Sequence, residues 1–301
     1  MPDRTGATQS LHSPPLRQVV ARHPVTAFLV SLYAVTVGLA LVPALTVPQP
    51  LPNDGHLYGI LISVVGCAGS AFAVTAAAGG REAVRDLTRR CLRWRVRLRW
   101  YAVALLGMPA VTLVTATVLY GSSPLRALSE NWPLLFTSYL PTLALMVVLY
   151  NVTEEFGFTG FLFARLQDQH GPMRAALVTT VFFWLFHLPT FVIDTGSWAL
   201  AALLMGIVLL PHFASRVIAG WLYNAAGASV LIAGLFHATF NSTINPSGFA
   251  VAVLDLPHEE VFVVLMGIAV VVGAVVAVAT RGRLGLPAPG EAEPAQATQQ
   301  D

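Results

Sequence analysis

Charge is scarce in this chain. Asp, Glu, Lys and Arg make up 11% of its 301 residues, against about 25% in a typical soluble domain. Lysine is absent, and all 17 basic residues are arginine. With 55% hydrophobic residues and a mean hydropathy of +0.68, this composition excludes an ordinary soluble globular domain. Only two cysteines occur, Cys67 and Cys91, which rules out a disulfide framework and predicts two free thiols. The first 23 residues are polar and contain proline. They lack the layout of a secretory signal peptide, and the first apolar run is long enough to span a bilayer. No repeat of solenoid period recurs, and no inverted repeat of the transporter kind is evident.

What is present is a series of long apolar runs. Eight can be read, at about 25–47, 57–79, 101–120, 133–153 and onward, 174–193, 198–214, 228–246 and 261–280. Several reach the ~20 residues that cross a bilayer. Runs this long must be helices, because lipid offers the backbone no hydrogen-bond partners. The predicted fold is an all-α polytopic membrane bundle of about eight transmembrane helices. Placing both termini inside puts 16 of the 17 arginines on inner segments and only Arg126 outside, a strong positive-inside bias. The expected organisation is a cytoplasmic tail over 1–23, a membrane domain over 24–282 and a disordered, Pro/Ala/Glu/Gln-rich tail over 283–301. The Arg- and Ala-biased composition points to a bacterial plasma membrane.

Eight arginines crowd the loop from Arg81 to Arg99, interleaved with Trp94, Trp100 and leucines. Two readings stand for it: an amphipathic stretch lying on anionic headgroups, or a topogenic stop signal. The expected partner is the lipid bilayer. Nucleic acid is not expected, because the stretch is short and wedged between two spans.

The charges that do enter apolar runs are the informative ones. No charge occurs from Trp132 to Thr153; Glu154 and Glu155 follow, and Phe156 to Phe163 is again uncharged. His187 lies within TTVFFWLFHLPTF and His237 within SVLIAGLFHATFN. Ionisable residues at membrane depth cost several kcal/mol, face the protein interior and mark function. A helix over about 133–169, stopped at Gly171-Pro172, would bring the glutamates near mid-membrane. Phe183 and His187 share a helix face, as do His237 and Asn241, each pair being four residues apart. Glu154 and Glu155 are about 100° apart on a helix, so one is expected to act at the site and the other to satisfy a neighbouring helix. His212 reads as interfacial, near the inner end of the sixth run. Two histidines and a glutamate (Glu154, His187, His237) could also ligate zinc with an open fourth position. HExxH, which would fix a zinc and its base on one helix, is absent.

The order of these motifs resembles the CAAX-protease and bacteriocin-processing family, also called CPBP or Abi. The motifs are Glu154-Glu155-Phe156-Gly157-Phe158-Thr159-Gly160, Phe183-Trp184-Leu185-Phe186-His187 and His237-Ala238-Thr239-Phe240-Asn241. The resemblance covers about residues 80–246. It implies an intramembrane endopeptidase acting on a membrane-associated protein or peptide. Glu154 would be the base that activates water with His187, and His237 with Asn241 would hold the oxyanion. Glu155 and Phe183 would support them. The family usually has Arg where this chain has Thr159, so a charge partner for Glu155 is missing; Arg165 is one substitute. The resemblance leaves open a metal-free and a zinc-dependent form, and the former is expected, since Asn241 is a poor zinc ligand. Rhomboid-like GxSG and presenilin-like GxGD signatures are absent. Two other functions compete: a non-catalytic immunity or scaffold protein of the same fold, and a transporter using Glu154 as a proton relay.

Overall fold

The computed structural model describes residues 15–46, 59–148 and 152–287. Of the expected tails over 1–23 and 283–301, residues 1–14 and 288–301 lie outside the described residues, and part of the first, Pro15–Arg22, is helical. Among the described residues there is no strand. Helix α1 (Pro15–Arg22) meets α2 (Pro24–Thr36) at a bend of 108°. Pro24 opens α2, where its missing N–H is not needed. Then come α3 (Gly59–Cys91), α4 (Leu98–Tyr120), the short α5 (Ser123–Glu130) and α6 (Leu135–Met146). Helix α7 covers 152–170 and α8 covers Pro172–Phe186, continued by α9 (Leu188–Thr195). Helices α10 (Trp198–Ala225), α11 (Val230–Ile244) and α12 (His258–Ala279) follow.

Each of the eight apolar runs contains helix, but their lengths differ from the reading of eight spans. Among the described residues, five helices are long and apolar enough to cross a membrane: α3, α4, α8 with α9, α10 and α12. The bent α1–α2 pair makes a sixth if it counts as one span. Helices α6 and α11 are apolar but shorter. The long helix expected over 133–169 appears as α6 and α7, with 149–151 between them outside the described residues. Its stop is where the sequence puts it: Gly171 has φ of +79° and Pro172 opens α8.

Two boundaries moved for a physical reason. The apolar run that ends before Arg81 continues as helix to Cys91, across a kink at Gly80 with φ of +65°. The run that ends before Ser215-Arg216 continues as α10 to Ala225. In the second case the arginine is inside the bundle, 2% exposed, so Arg216 does not belong with the inner-loop cations used to orient the chain. The Arg-rich turn itself is exposed. Arg95 sits over Trp94 at 5.1 Å and Arg99 over Trp100 at 4.8 Å, while Trp94 and Leu98 face outward. Cysteine labelling should find positions 81–99 on the inner side and 121–131 on the outer side; outer labelling of the Arg-rich turn would invert the orientation.

The core is aromatic and tightly packed. Phe28, Phe158, Phe161, Phe163 and Phe183 are fully buried, with Phe158 edge-on to Phe183 at 5.0 Å. Small residues let helix backbones meet, as in membrane bundles generally. A Cβ on Gly157 would lie 2.9 Å from the Cys67 carbonyl oxygen, so α7 presses against α3 just past the glutamates. A Cβ on Gly234 would lie 3.1 Å from Val152 Cα, which brings α11 against the start of α7. These two contacts hold the glutamate-bearing turn between α3 and α11.

Candidate active site

Local structure at the glutamates is irregular. Val152–Glu155 is one α-helical turn, and Phe156–Phe163 follows as a π-helical stretch. Wide turns of this kind recur at functional sites. Both glutamates are buried, Glu154 at 7% and Glu155 at 0% exposure, yet their surroundings differ. Glu154 lines a cavity of about 640 Å3, and its Oε1 accepts a hydrogen bond from Ser63 Oγ of α3 at 2.8 Å. Glu155 points away from that cavity into the helix packing.

Glu155 is held by three groups. Arg216 of α10 donates from Nη2 to Oε1 at 2.7 Å and from Nη1 to Oε2 at 2.9 Å. This bidentate fork is the strong geometry for a guanidinium–carboxylate pair. Thr159, one turn on, donates its hydroxyl to Oε2. His237 Nδ1 lies 2.9 Å from Oε1, and with a carboxylate opposite it that nitrogen carries the hydrogen. Arg216 also lies over the ring of Phe183 at 4.1 Å, so an aromatic face covers the cation. The charge partner for Glu155 is therefore Arg216. Arg165 instead donates to the Phe161 carbonyl at 3.2 Å and stacks on the Phe161 ring.

His187 sits at the joint of α8 and α9. Pro189 has no N–H to continue the helical ladder, and His187 N bonds the Trp184 carbonyl at 3.1 Å in a tightened turn. Its ring is fixed: Nδ1 is 2.7 Å from the Phe183 carbonyl oxygen. A carbonyl only accepts, so Nδ1 carries the hydrogen and Nε2 is the acceptor. Helix α11, which carries His237 and Asn241, is capped by Ser229, whose Oγ accepts from Ile232 N at 3.4 Å.

Glu154, His187, His237 and Asn241 line the same cavity, together with Phe183 and Arg216. Its walls come from α3 and from α6 through α12, more helices than the three bearing the motifs. Phe183 is central: its ring centroid is 4.5 Å from His187 and 5.6 Å from His237. Two ionisable residues of α10 on this wall lie outside the motifs. Arg216 is one. His212 is the other, with its ring centroid 4.9 Å from His187 rather than at the interface. Both lie on α10 one turn apart, and a polar pair at this spacing within LLPHFASRVIAG was their only sequence signal. Among the described residues, no three His, Cys, Asp or Glu side chains are grouped closely enough to hold a metal ion. The zinc set of Glu154, His187 and His237 shares the cavity wall without that grouping.

No curated protein matches the chain. Residues 136–243 match the model of the family described as type II CAAX prenyl endopeptidase Rce1-like. That stretch runs from α6 to the end of α11 and contains all three motifs. With the apolar helices that carry it, the match supports a multi-pass membrane protease in general terms. Over residues 136–243 this chain is similar to the CAAX-protease family.

Proposed function

We propose that the chain is an intramembrane endopeptidase that cleaves a membrane-associated protein or peptide. The observation that carries this reading is the division of labour between adjacent glutamates. Glu154 faces the cavity with His187, His237 and Asn241, while Glu155 is sealed into an ion pair behind it.

In this mechanism Glu154 takes a proton from water, aided by His187, whose Nε2 is the free nitrogen. The hydroxide oxygen attacks the scissile carbonyl carbon. His237 donates from Nε2 to the developing oxyanion, and the Asn241 amide donates beside it. Glu155 holds the opposite side of the His237 ring, which leaves Nε2 directed into the cavity; this requires His237 to carry hydrogen on both nitrogens when it donates. Collapse breaks the C–N bond, and Glu154 returns its proton to the leaving amine. Each oxyanion donor in a dry site contributes about 3 kcal/mol.

Burial in an apolar bundle supports a lipid-anchored substrate. The prenylated CAAX proteins named by the matched family are one class to test. The composition argues for a bacterial protein whose substrate is a different anchored peptide. Purified protein in detergent should be given two probes: a farnesylated peptide with a CAAX end and a palmitoylated peptide of randomised sequence. Asn241→Ala should slow cleavage about 10²–10³-fold without abolishing it, and a chelator should leave the rate unchanged. If activity and stoichiometric zinc are lost together and return together, the metal-free mechanism falls and the protease reading stands. Cleavage of neither probe would favour a scaffold or immunity protein.

A further inference from the structure

We propose that His212 is a substrate-contact residue, its Nε2–H donating to a backbone carbonyl of the bound peptide beside the scissile bond. This rests on the reading of the cavity as a peptidase site. The argument starts from what each imidazole has already committed. A neutral imidazole has one donor and one acceptor nitrogen. His187 spends Nδ1 on the Phe183 carbonyl and His237 spends Nδ1 on Glu155. Among the described residues His212 spends neither nitrogen: its Nδ1 is buried and has no hydrogen-bond partner.

That orphaned atom decides the tautomer. A buried N–H without a partner is rarer and costlier than a bare acceptor. The hydrogen of His212 is therefore on Nε2, and a doubly protonated ring is disfavoured because it would strand an N–H at Nδ1. His212 lines the cavity, and with Nδ1 shut away it is Nε2 that meets the open space. The ring is held in place: Phe183 is edge-on to it at 5.2 Å, and the helix position follows Pro211. The cavity thus carries a fixed N–H donor next to His187 for which the hydrolytic steps have no use.

Its natural complement is an acceptor on the substrate. An extended peptide offers one backbone carbonyl about every 3.3 Å. One of them becomes the oxyanion. A donor whose ring is 4.9 Å from His187 is placed for a neighbouring one.

The test separates binding from chemistry. Binding of the fluorescein-labelled farnesylated and palmitoylated probes is measured on the Glu154→Gln variant, so that turnover does not intervene. Adding His212→Phe should weaken binding about tenfold, roughly one hydrogen bond. In the otherwise wild-type enzyme it should raise KM by about the same factor with kcat within about twofold, the pattern of lost uniform binding. His212→Gln, whose amide still donates, should recover most of the loss. If the Phe variant does not fold, His212→Met against His212→Gln makes the same comparison of donor against none. Unchanged binding and KM in the variant lacking a donor would overturn the proposal, as would a fall in kcat with KM intact. Failure of the peptidase reading looks different: the wild type cleaves neither probe, yet Glu154→Gln still binds one in a manner that His212→Phe weakens. That outcome keeps the contact and removes the protease.

Discussion

Glu154→Gln is expected to abolish cleavage while the protein keeps its fold. The amide has the shape of the carboxylate, and its carbonyl oxygen can still accept from Ser63 Oγ, the 2.8 Å bond that anchors Glu154. What it cannot do is take a proton from water. Loss of a positioned base typically costs about 10²–10⁴ in rate. Steady-state cleavage of whichever anchored peptide the wild type cuts, together with a thermal unfolding profile in detergent, checks both halves. Residual activity close to wild type would remove Glu154 from the reaction. A cooperative loss of folding would show that its charge is structural. The same substitution at the next residue makes the control: Glu155→Gln should lower stability as well as activity, because it breaks the fork with Arg216.

Arg216→Met is expected to have the largest effect on stability. It strands the Glu155 carboxylate, which has no exposed surface. Breaking one side of a buried pair costs about 3–5 kcal/mol, whereas replacing both partners with apolar side chains is often near neutral. The pair Arg216→Met with Glu155→Leu should therefore recover most of the lost stability. It should not recover cleavage, since His237 then has nothing to hold its Nδ1. A second combination tests where the cation must stand. Thr159 already donates to the same Oε2 that Arg216 bonds, so an arginine at 159 approaches that carboxylate from its own helix. Arg216→Ala with Thr159→Arg should restore part of both stability and activity, the alanine opening room for the longer side chain. If Arg216→Met unfolds at the wild-type temperature, the ion pair is not what holds this region. If the double apolar variant cleaves at the wild-type rate, Glu155 does not orient His237.

The residues themselves determined the class and the existence of a buried polar site. Low charge and long apolar runs leave helices in a membrane as the only solution. Glu154, Glu155, His187, His237 and Asn241 were legible because a polar group in such a run has to face the interior. The spacing of two adjacent glutamates also required that they face different ways. Which glutamate faces the cavity does not follow from helix spacing, because a 100° separation is symmetric until the neighbours are placed; only the family resemblance pointed to Glu154. Arg216 and His212 were misplaced for a related reason. A cation following an apolar run reads as its end, since an unpaired charge stops a span. Here Glu155, 61 residues earlier in the chain, neutralises Arg216, and α10 continues to Ala225. Thr159 looked like a missing charge because only contacts along its own helix are visible in sequence. The compensating cation arrives across the bundle, and only the packing of α10 against α7 and α8 decides that pairing.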